Sequence, residues 1–392
     1  MKITYFFTDL GYTGGPLTLY NFMNKLVEFG HDVYVVTPYE HFQWDKDTYL
    51  KYIGKRSKVK IALRMLRRKL ANILIGQKVF VEVAVIADEL IEKYKDMDID
   101  SDILIATYPY TIDAAMKLGK NKKIVMHNQH YEEHMFRDYA DIAQIRVLNY
   151  YPVNHIVNCS WLYKMFKYNY GFDPIVVTPG IDTEIFFEEK DGATKYSNIE
   201  RLKIISYCDP QRPFKGYDQQ MRIFKKLYEI NGDAIEIQFF GNDPKTDDFK
   251  YVFLGKVPQK KLAEYYRQAH IMAMFSWYES FPLPPIEAMA CGCAVVSTKY
   301  GTEDYLEDGV TGRLINSFDI NGSVKIINGL IHDPDVLLQY VKNARNVVGR
   351  FTWQEQSEKL NAFLSNLPSR NYVDVLELQK GNYDELRKIE NI

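Results

Sequence analysis

Glu279 and Glu287 stand with seven residues between them in the stretch SWYESFPLPPIEAMACGCAVVST (276–298). The run IMAMF (271–275) reads as a strand ending just before Ser276, so Glu279 falls in the loop past a strand's C-terminal end, where α/β proteins build ligand sites. Pro284 and Pro285 are tolerated at a helix start and poor inside one. The helix is therefore expected to begin near Pro284 and to stop at Gly292, with Glu287 in its first turns. Free amides at that helix start favour an anion such as a diphosphate. One carboxylate in the loop and one on the helix can each accept hydrogen bonds from hydroxyls, which is the chemistry of holding a sugar. Two arbitrary glutamates would read as solvated surface charges; the segment around this pair is what sets it apart.

Other stretches carry chemistry of the same kind. In DLGYTGGP (9–16), Gly14 and Gly15 follow the first strand and open a helix. They permit close backbone approach to a phosphate or sugar, or simply make a tight turn. In DPQRPFKGYDQ (209–219), Arg212 and Lys215 are two cations able to stabilise charge on a departing diphosphate, against the plain alternative of exposed loop charges. In IVMHNQHYEEH (124–134), His127 is placed at a strand's C-terminal end, facing a cleft. Its neighbours His130, Glu132, Glu133 and His134 lack tight ligand spacing, so no metal is expected there. Gly241 follows a strand in FFGNDP, and Lys256 and Val257 follow another in LGKVP (254–258). Asp96, Asp98 and Asp100 in KDMDIDSD (95–102) imitate a metal-binding DxD spacing. They precede a strand, which is the wrong edge for a site, and read as a solvated loop.

The elements that must position these residues repeat in a regular way. Strand candidates fall at 2–8, 33–37, 103–107, 123–126, 155–158 and 174–178. After the polar stretch 188–200 they resume at 202–207, 235–240, 251–254, 271–275 and 294–298, with helical segments such as 16–29 and 217–230 between most of them. Strands alternating with helices imply parallel sheets covered on both faces. Two such series in 392 residues imply two doubly wound α/β domains. A formal net charge of −2 argues against a dedicated nucleic-acid binder. The four cysteines (159, 208, 291 and 293) are scattered, suggesting neither a disulfide framework nor a zinc site, and a reducing compartment is expected. No run of about 18 apolar residues appears, so no spanning helix is expected. The stretch 51–70 holds nine basic residues and no acidic one, with Ile61, Met65, Leu66 and Leu70 at helical spacing. It reads either as a solvated basic helix or as one that lies on an anionic membrane surface.

Glu, seven residues, Glu, then Ala-Met-Ala-Cys-Gly resembles the signature of the retaining glycosyltransferases of family four. TPGIDTEIF (178–186) resembles that family's linker motif, VFLGKVPQKKLAEYYRQAHIMAMFS (252–276) its nucleotide-side segment, and FTWQEQSEKL (351–360) its closing helix. The resemblance covers most of the chain. It implies the GT-B fold, two facing Rossmann-like domains with a cleft between them: 1–185 on the acceptor side, 186–350 binding the nucleotide sugar, and 351–392 crossing back.

By the same resemblance, Glu279 would contact donor-sugar hydroxyls, Glu287 the ribose, and Lys215 with Arg212 the diphosphate. His127 would lie near the reaction centre. Ser280, Phe281, Pro282 and Leu283 would line the donor, with the Phe281 and Leu283 amides approaching it. Gly241, Lys256 and Val257 would meet the nucleotide. Pro282 stands where the family has glycine, and Arg212 lies three residues before the lysine rather than five. The implied activity is metal-independent retaining transfer from a nucleotide-diphosphate sugar to a glycan, glycolipid or protein-glycan acceptor, in the cytoplasm or peripherally at the membrane, with no cofactor. A same-fold epimerase or phosphorylase, and a non-catalytic subunit of a glycan-assembly complex, are the alternatives.

Overall fold

A computed structural model of the chain describes residues 1–7, 14–37, 49–52, 80–85, 99–119, 122–134, 139–151, 153–190, 192–197 and 199–367. Most of the basic stretch 51–70, Asp96, Asp98 and the chain after 367 lie outside the described residues. The chain divides into two compact units: 1–158 with 162–177 and the residues from Ser357 on, and 159–161 with 178–356.

The first unit holds β1 (Lys2–Phe6), α1 (Gly14–Glu28), β2 (Asp32–Thr37), β3 (Tyr49–Tyr52), β4 (Phe80–Val85), β5 (Ile103–Ala106), α2 (Pro109–Leu118), β6 (Lys123–Asn128), α3 (Tyr139–Asn149), β7 (Asn154–Val157), α4 (Ser160–Tyr170, its first two residues counted with the second unit) and β8 (Ile175–Val176). Its sheet runs β3-β4-β2-β1-β5-β6-β7-β8, and every pairing is parallel. Phe6, Leu104, Ala106, Ile124 and Met126 from the central strands pack with Ile112 and Ala115 of α2. Strands buried on both faces need such continuous apolar runs.

The second unit holds β9 (Leu202–Cys208), α5 (Tyr217–Asn231), β10 (Ile235–Gly241), β11 (Val252–Gly255), α6 (Gln259–Gln268), β12 (Ile271–Ala273), α7 (Leu283–Ala290), β13 (Ala294–Thr298), β14 (Arg313–Ile315), α8 (Ile320–Ile331) and α9 (Pro334–Val348). The helix α10 (Trp353–Ser365) follows. The order is β11-β10-β9-β12-β13-β14, again all parallel. Phe224 of α5 meets Phe239 and Phe275 edge-on, with ring centroids 5.4 and 5.3 Å apart. From β9 the chain steps outward to β10 and β11, then returns to β12 on the other side of β9. The crevice between β9 and β12 is therefore the topological switch point, and the loops leaving their C-terminal ends flank it.

The expected doubly wound α/β class holds for both units. The strands at 49–52, 80–85 and 313–315 are additions to the sequence reading. The division falls at Val177/Thr178 rather than at 185/186. Segment 178–186 belongs with the 350s: the Ile181 N–H donates to the Phe351 carbonyl at 2.8 Å, and Ile181 bridges Thr352. Gly180 lies so close that a Cβ there would sit 2.4 Å from the Trp353 nitrogen.

Candidate functional site

The loop after β9 and the loop after β12 are laid backbone against backbone. Pro213–Lys215 make a single 3-10 turn, and Gly216 follows at φ 75°, in the left-handed region that glycine alone adopts freely. A Cβ on Gly216 would sit 2.0 Å from the Phe275 carbonyl oxygen, and the Trp277 N–H donates to the Phe214 carbonyl at 2.7 Å. Gly216→Ala is expected to cost about 2 kcal/mol or more, from the strained φ and the clash together. A urea melt showing the variant within a few tenths of wild type would contradict this close approach.

This apposition brings two of the expected residues together. Lys215 Nζ donates to Glu279 Oε1 at 2.5 Å, with side chains 15% and 10% exposed. The ammonium also lies 5.2 Å from the Phe214 ring centroid and 5.7 Å from that of Tyr207. Glu279 is held from the far side by the loop after β13: its N–H donates to the Tyr300 carbonyl at 3.2 Å. Gly301, at φ 99°, leaves room for the Glu279 carbonyl where a Cβ would come within 2.5 Å of it.

Arg212 enters through Asp209, which lies next to the end of β9. The Asp209 carboxylate is buried. It accepts from Asn242 Nδ2 at 2.9 Å, from the Gln211 N–H at 3.2 Å and from the Tyr207 hydroxyl at 3.2 Å. Arg212 Nε stands 3.6 Å from it, with the guanidinium half exposed. Gly241 ends the neighbouring strand at φ 104°, where a Cβ would lie 2.6 Å from the Cys208 carbonyl oxygen. Asp209 opens the quoted loop, yet nothing in its spacing marks it as the residue that ties the turns after β9 and β10 together.

Helix α7 begins at Leu283, beside the expected start, with Pro282 as its N-cap and no side-chain cap. Glu287 is buried within it, and among the described residues no cation pairs with it. Burial alone pushes its carboxyl up to about 8. The N–H groups of Phe281 and Leu283, on either side of Pro282, have no partner among the described residues. The Phe281 ring is wedged against Tyr305 and Phe351 at 5.2 and 5.6 Å, and the Pro282 carbonyl accepts from the Tyr305 hydroxyl at 2.9 Å. The segment 280–283 is thus fixed before any ligand arrives. Lys256 is exposed and Val257 half-buried, just past the edge strand β11.

The first unit holds the remaining candidates. Gly14 opens α1. A Cβ on Gly15 would fall 2.5 Å from Gln129 Oε1, so this glycine makes room for a side chain of its own unit. His127 corrects an expectation. It stands next to the last residue of β6, but its ring is wholly buried, 5.6 Å from that of Phe22, rather than facing open space. Among the described residues neither ring nitrogen has a hydrogen-bond partner, and burial pushes its pKa down to about 3, so the ring is neutral. Glu133 is taken up by the Tyr131 and Tyr170 hydroxyls and by Arg146. Asp100 pairs with Lys2 next to the N-terminal end of β1, as its place before a strand implied.

Residues 198–347 match the family described as glycosyl transferases group 1. Over this segment the chain is similar to a glycosyl transferases group 1 domain. The D-inositol 3-phosphate glycosyltransferase of Corynebacterium jeikeium is 28% identical over 217 residues, 49% of this chain and 52% of that protein. The probable sucrose-phosphate synthase of Thermosipho melanesiensis is 29% identical over 238 residues, 54% of each chain. The matches thus span about half the length of these curated relatives.

Among solved structures, Anabaena HepE in complex with UDP and glucose superposes with a TM-score of 0.69 at 15% identity, covering 94% of this chain and all of that one. The sucrose-phosphate synthase of Thermosynechococcus elongatus gives 0.68 at 16%, covering 93% and 98%. At such identity the likeness is one of fold, and the fold is GT-B. Lys215, Gly216, Gly241, Glu279, Phe281, Leu283 and Glu287 all lie inside the matched segment 198–347, whereas Gly14, Gly15 and His127 lie outside it. Among the described residues no helix is long and apolar enough to cross a membrane.

Proposed function

We propose that this protein is a glycosyltransferase that moves a sugar from a nucleotide-diphosphate sugar to an acceptor hydroxyl with retention at the anomeric carbon. The observation that carries the reading is the Lys215–Glu279 contact at the topological switch point of the second unit. A cation and a hydroxyl acceptor stand side by side where one ligand carries both a diphosphate and a sugar.

Lys215, with Arg212 beside it, stabilises charge building on the departing diphosphate. The free amides of Phe281 and Leu283 and the start of α7 add donors to the same anion. Glu279 orients the sugar through its hydroxyls, and Glu287 takes the ribose hydroxyls. With positioning and electrostatics supplying the rate, the acceptor attacks on the face the diphosphate leaves, and the departing phosphate takes its proton. Two protein cations do the work that a divalent metal would otherwise do, so transfer is proposed to be metal-independent. The acceptor class is a glycan, glycolipid or protein-glycan, by the sequence resemblance.

Thermal-shift titration with UDP, GDP, ADP and dTDP, each with and without EDTA, tests the donor site. One nucleotide is expected to raise the midpoint, unaffected by EDTA. No shift with any of them would overturn the reading.

A further inference from the structure

We infer that Glu279 discriminates the donor from the spent nucleotide, because it occupies the same Lys215 ammonium that the diphosphate needs. This inference rests on the proposed donor site.

The pair is direct, and both side chains are largely withdrawn from water. The backbones that carry the two partners are anchored: Gly216 is seated on the Phe275 carbonyl, and the Glu279 backbone is tied to Tyr300 and packed under Gly301. The Lys215 ammonium also lies within 5.2 and 5.7 Å of the Phe214 and Tyr207 ring centroids, and Phe214 is itself stacked on Tyr278.

A diphosphate drawn to Lys215 meets the Glu279 carboxylate at the same spot. It must share or take the ammonium, and it adds negative charge beside a carboxylate in a place where water screens poorly. Leaving that carboxylate unpaired carries a desolvation cost. A nucleotide sugar offsets the cost, because a sugar hydroxyl donates to Glu279 in place of Lys215. A nucleoside diphosphate has no such hydroxyl at that position, and the cost stands. The ion pair therefore weakens binding of the spent nucleotide more than binding of the intact donor. After transfer it re-forms and helps expel the product.

Calorimetric titration of wild type, Glu279→Gln and Lys215→Met with UDP, with UDP-glucose and with inorganic pyrophosphate reads the effect. Glutamine keeps a hydrogen-bond acceptor for Lys215 and a partner for a sugar hydroxyl, but removes the charge. Glu279→Gln is expected to bind UDP and pyrophosphate several-fold to tenfold more tightly than wild type, and UDP-glucose no more tightly, so the preference for the donor shrinks. Lys215→Met weakens all of them.

If Glu279→Gln loses affinity for UDP and pyrophosphate as it does for UDP-glucose, Glu279 is a plain donor contact and the inference falls. If UDP fails on every variant while pyrophosphate still tightens on Glu279→Gln, the charge competition stands and the choice of nucleotide is what fails. If pyrophosphate binding is unmoved by both substitutions, the competition is excluded. Should Glu279→Gln not fold, the double variant Lys215→Met/Glu279→Leu, which replaces the pair with apolar groups of similar size, must show pyrophosphate affinity no lower than that of Lys215→Met alone.

Discussion

Lys215→Met is expected to lower turnover of the nucleotide-sugar donor by about 100- to 1000-fold, the usual cost of removing one preorganised charge partner from a developing anion. The expected loss is in turnover more than in Michaelis constant. The ammonium already has an anionic partner in Glu279 before the donor arrives, so part of what it gives the ground state is cancelled by what it gives up. Charge on the bridging phosphate oxygen is greater at the transition state than in the bound donor, so the ammonium gives more there than in the ground state. Arg212 cannot make up the loss from where it stands, half exposed and 3.6 Å from the Asp209 carboxylate.

Methionine keeps the apolar stem against Phe214 and Tyr207 and removes only the charge. The Glu279 carboxylate is then left without its partner, and a stability loss of about 1–3 kcal/mol accompanies the kinetic one. Glu279→Leu in the same chain should recover most of that stability and none of the turnover. A Lys215→Met variant within tenfold of wild type in steady-state turnover would show that the diphosphate leaves from somewhere else.

How much of this could be read from the sequence depends on what kind of fact each residue carries. The strand AVVST (294–298) was legible because a strand covered on both faces reads as a short run of apolar and β-branched residues, and all five of these residues are buried. The start of α7 was legible because prolines are admitted at only one end of a helix. Lys215 and Glu279 were each legible as candidates. Their contact was not, since they stand 64 positions apart in the chain and only the switch in strand order joins their loops.

Asp209 was invisible for the same reason: its partners are on other turns. The strand Arg313–Ile315 is too short for any periodicity to show. The burial of His127 could not be read either, because a histidine near a strand's end has the same local sequence whether its ring faces outward or lies against Phe22. The attachment of 178–186 to the 350s was not legible either: the missing side chain of Gly180 lets Trp353 pack against it. That is a fact about two segments far apart in the chain.

Glu287→Gln is expected to stabilise the unliganded protein at alkaline pH and to weaken nucleotide binding at the same time. The folded-state pKa of Glu287 is raised from 4.5 to about 8 by burial, so the fold holds this proton more tightly than the unfolded chain does. Below about pH 4.5 both states keep it and the residue has no differential effect. Between about 4.5 and 8 the unfolded chain releases the proton and the fold does not, so stability falls by up to about 1.4 kcal/mol per pH unit. Above about 8 the penalty is complete, on the order of a few kcal/mol.

Glutamine carries no such proton. The variant should melt like wild type near pH 4.5 and distinctly higher near pH 9. Some alkaline slope should remain, because Glu132, buried and raised to about 8 in the same way, is untouched. Nucleotide binding should move in the opposite direction. A carboxylate accepting two ribose hydroxyls makes charge-assisted hydrogen bonds that an amide does not, and roughly tenfold in affinity is the expected loss. Wild-type affinity should also rise with pH through about 8, as the ribose draws Glu287 into its ionised form, and the variant's should not. Melting curves at the two pH values and nucleotide titrations across the same range decide it. A variant that is no more stable at pH 9, or whose nucleotide affinity matches wild type throughout, would remove Glu287 from the ribose site.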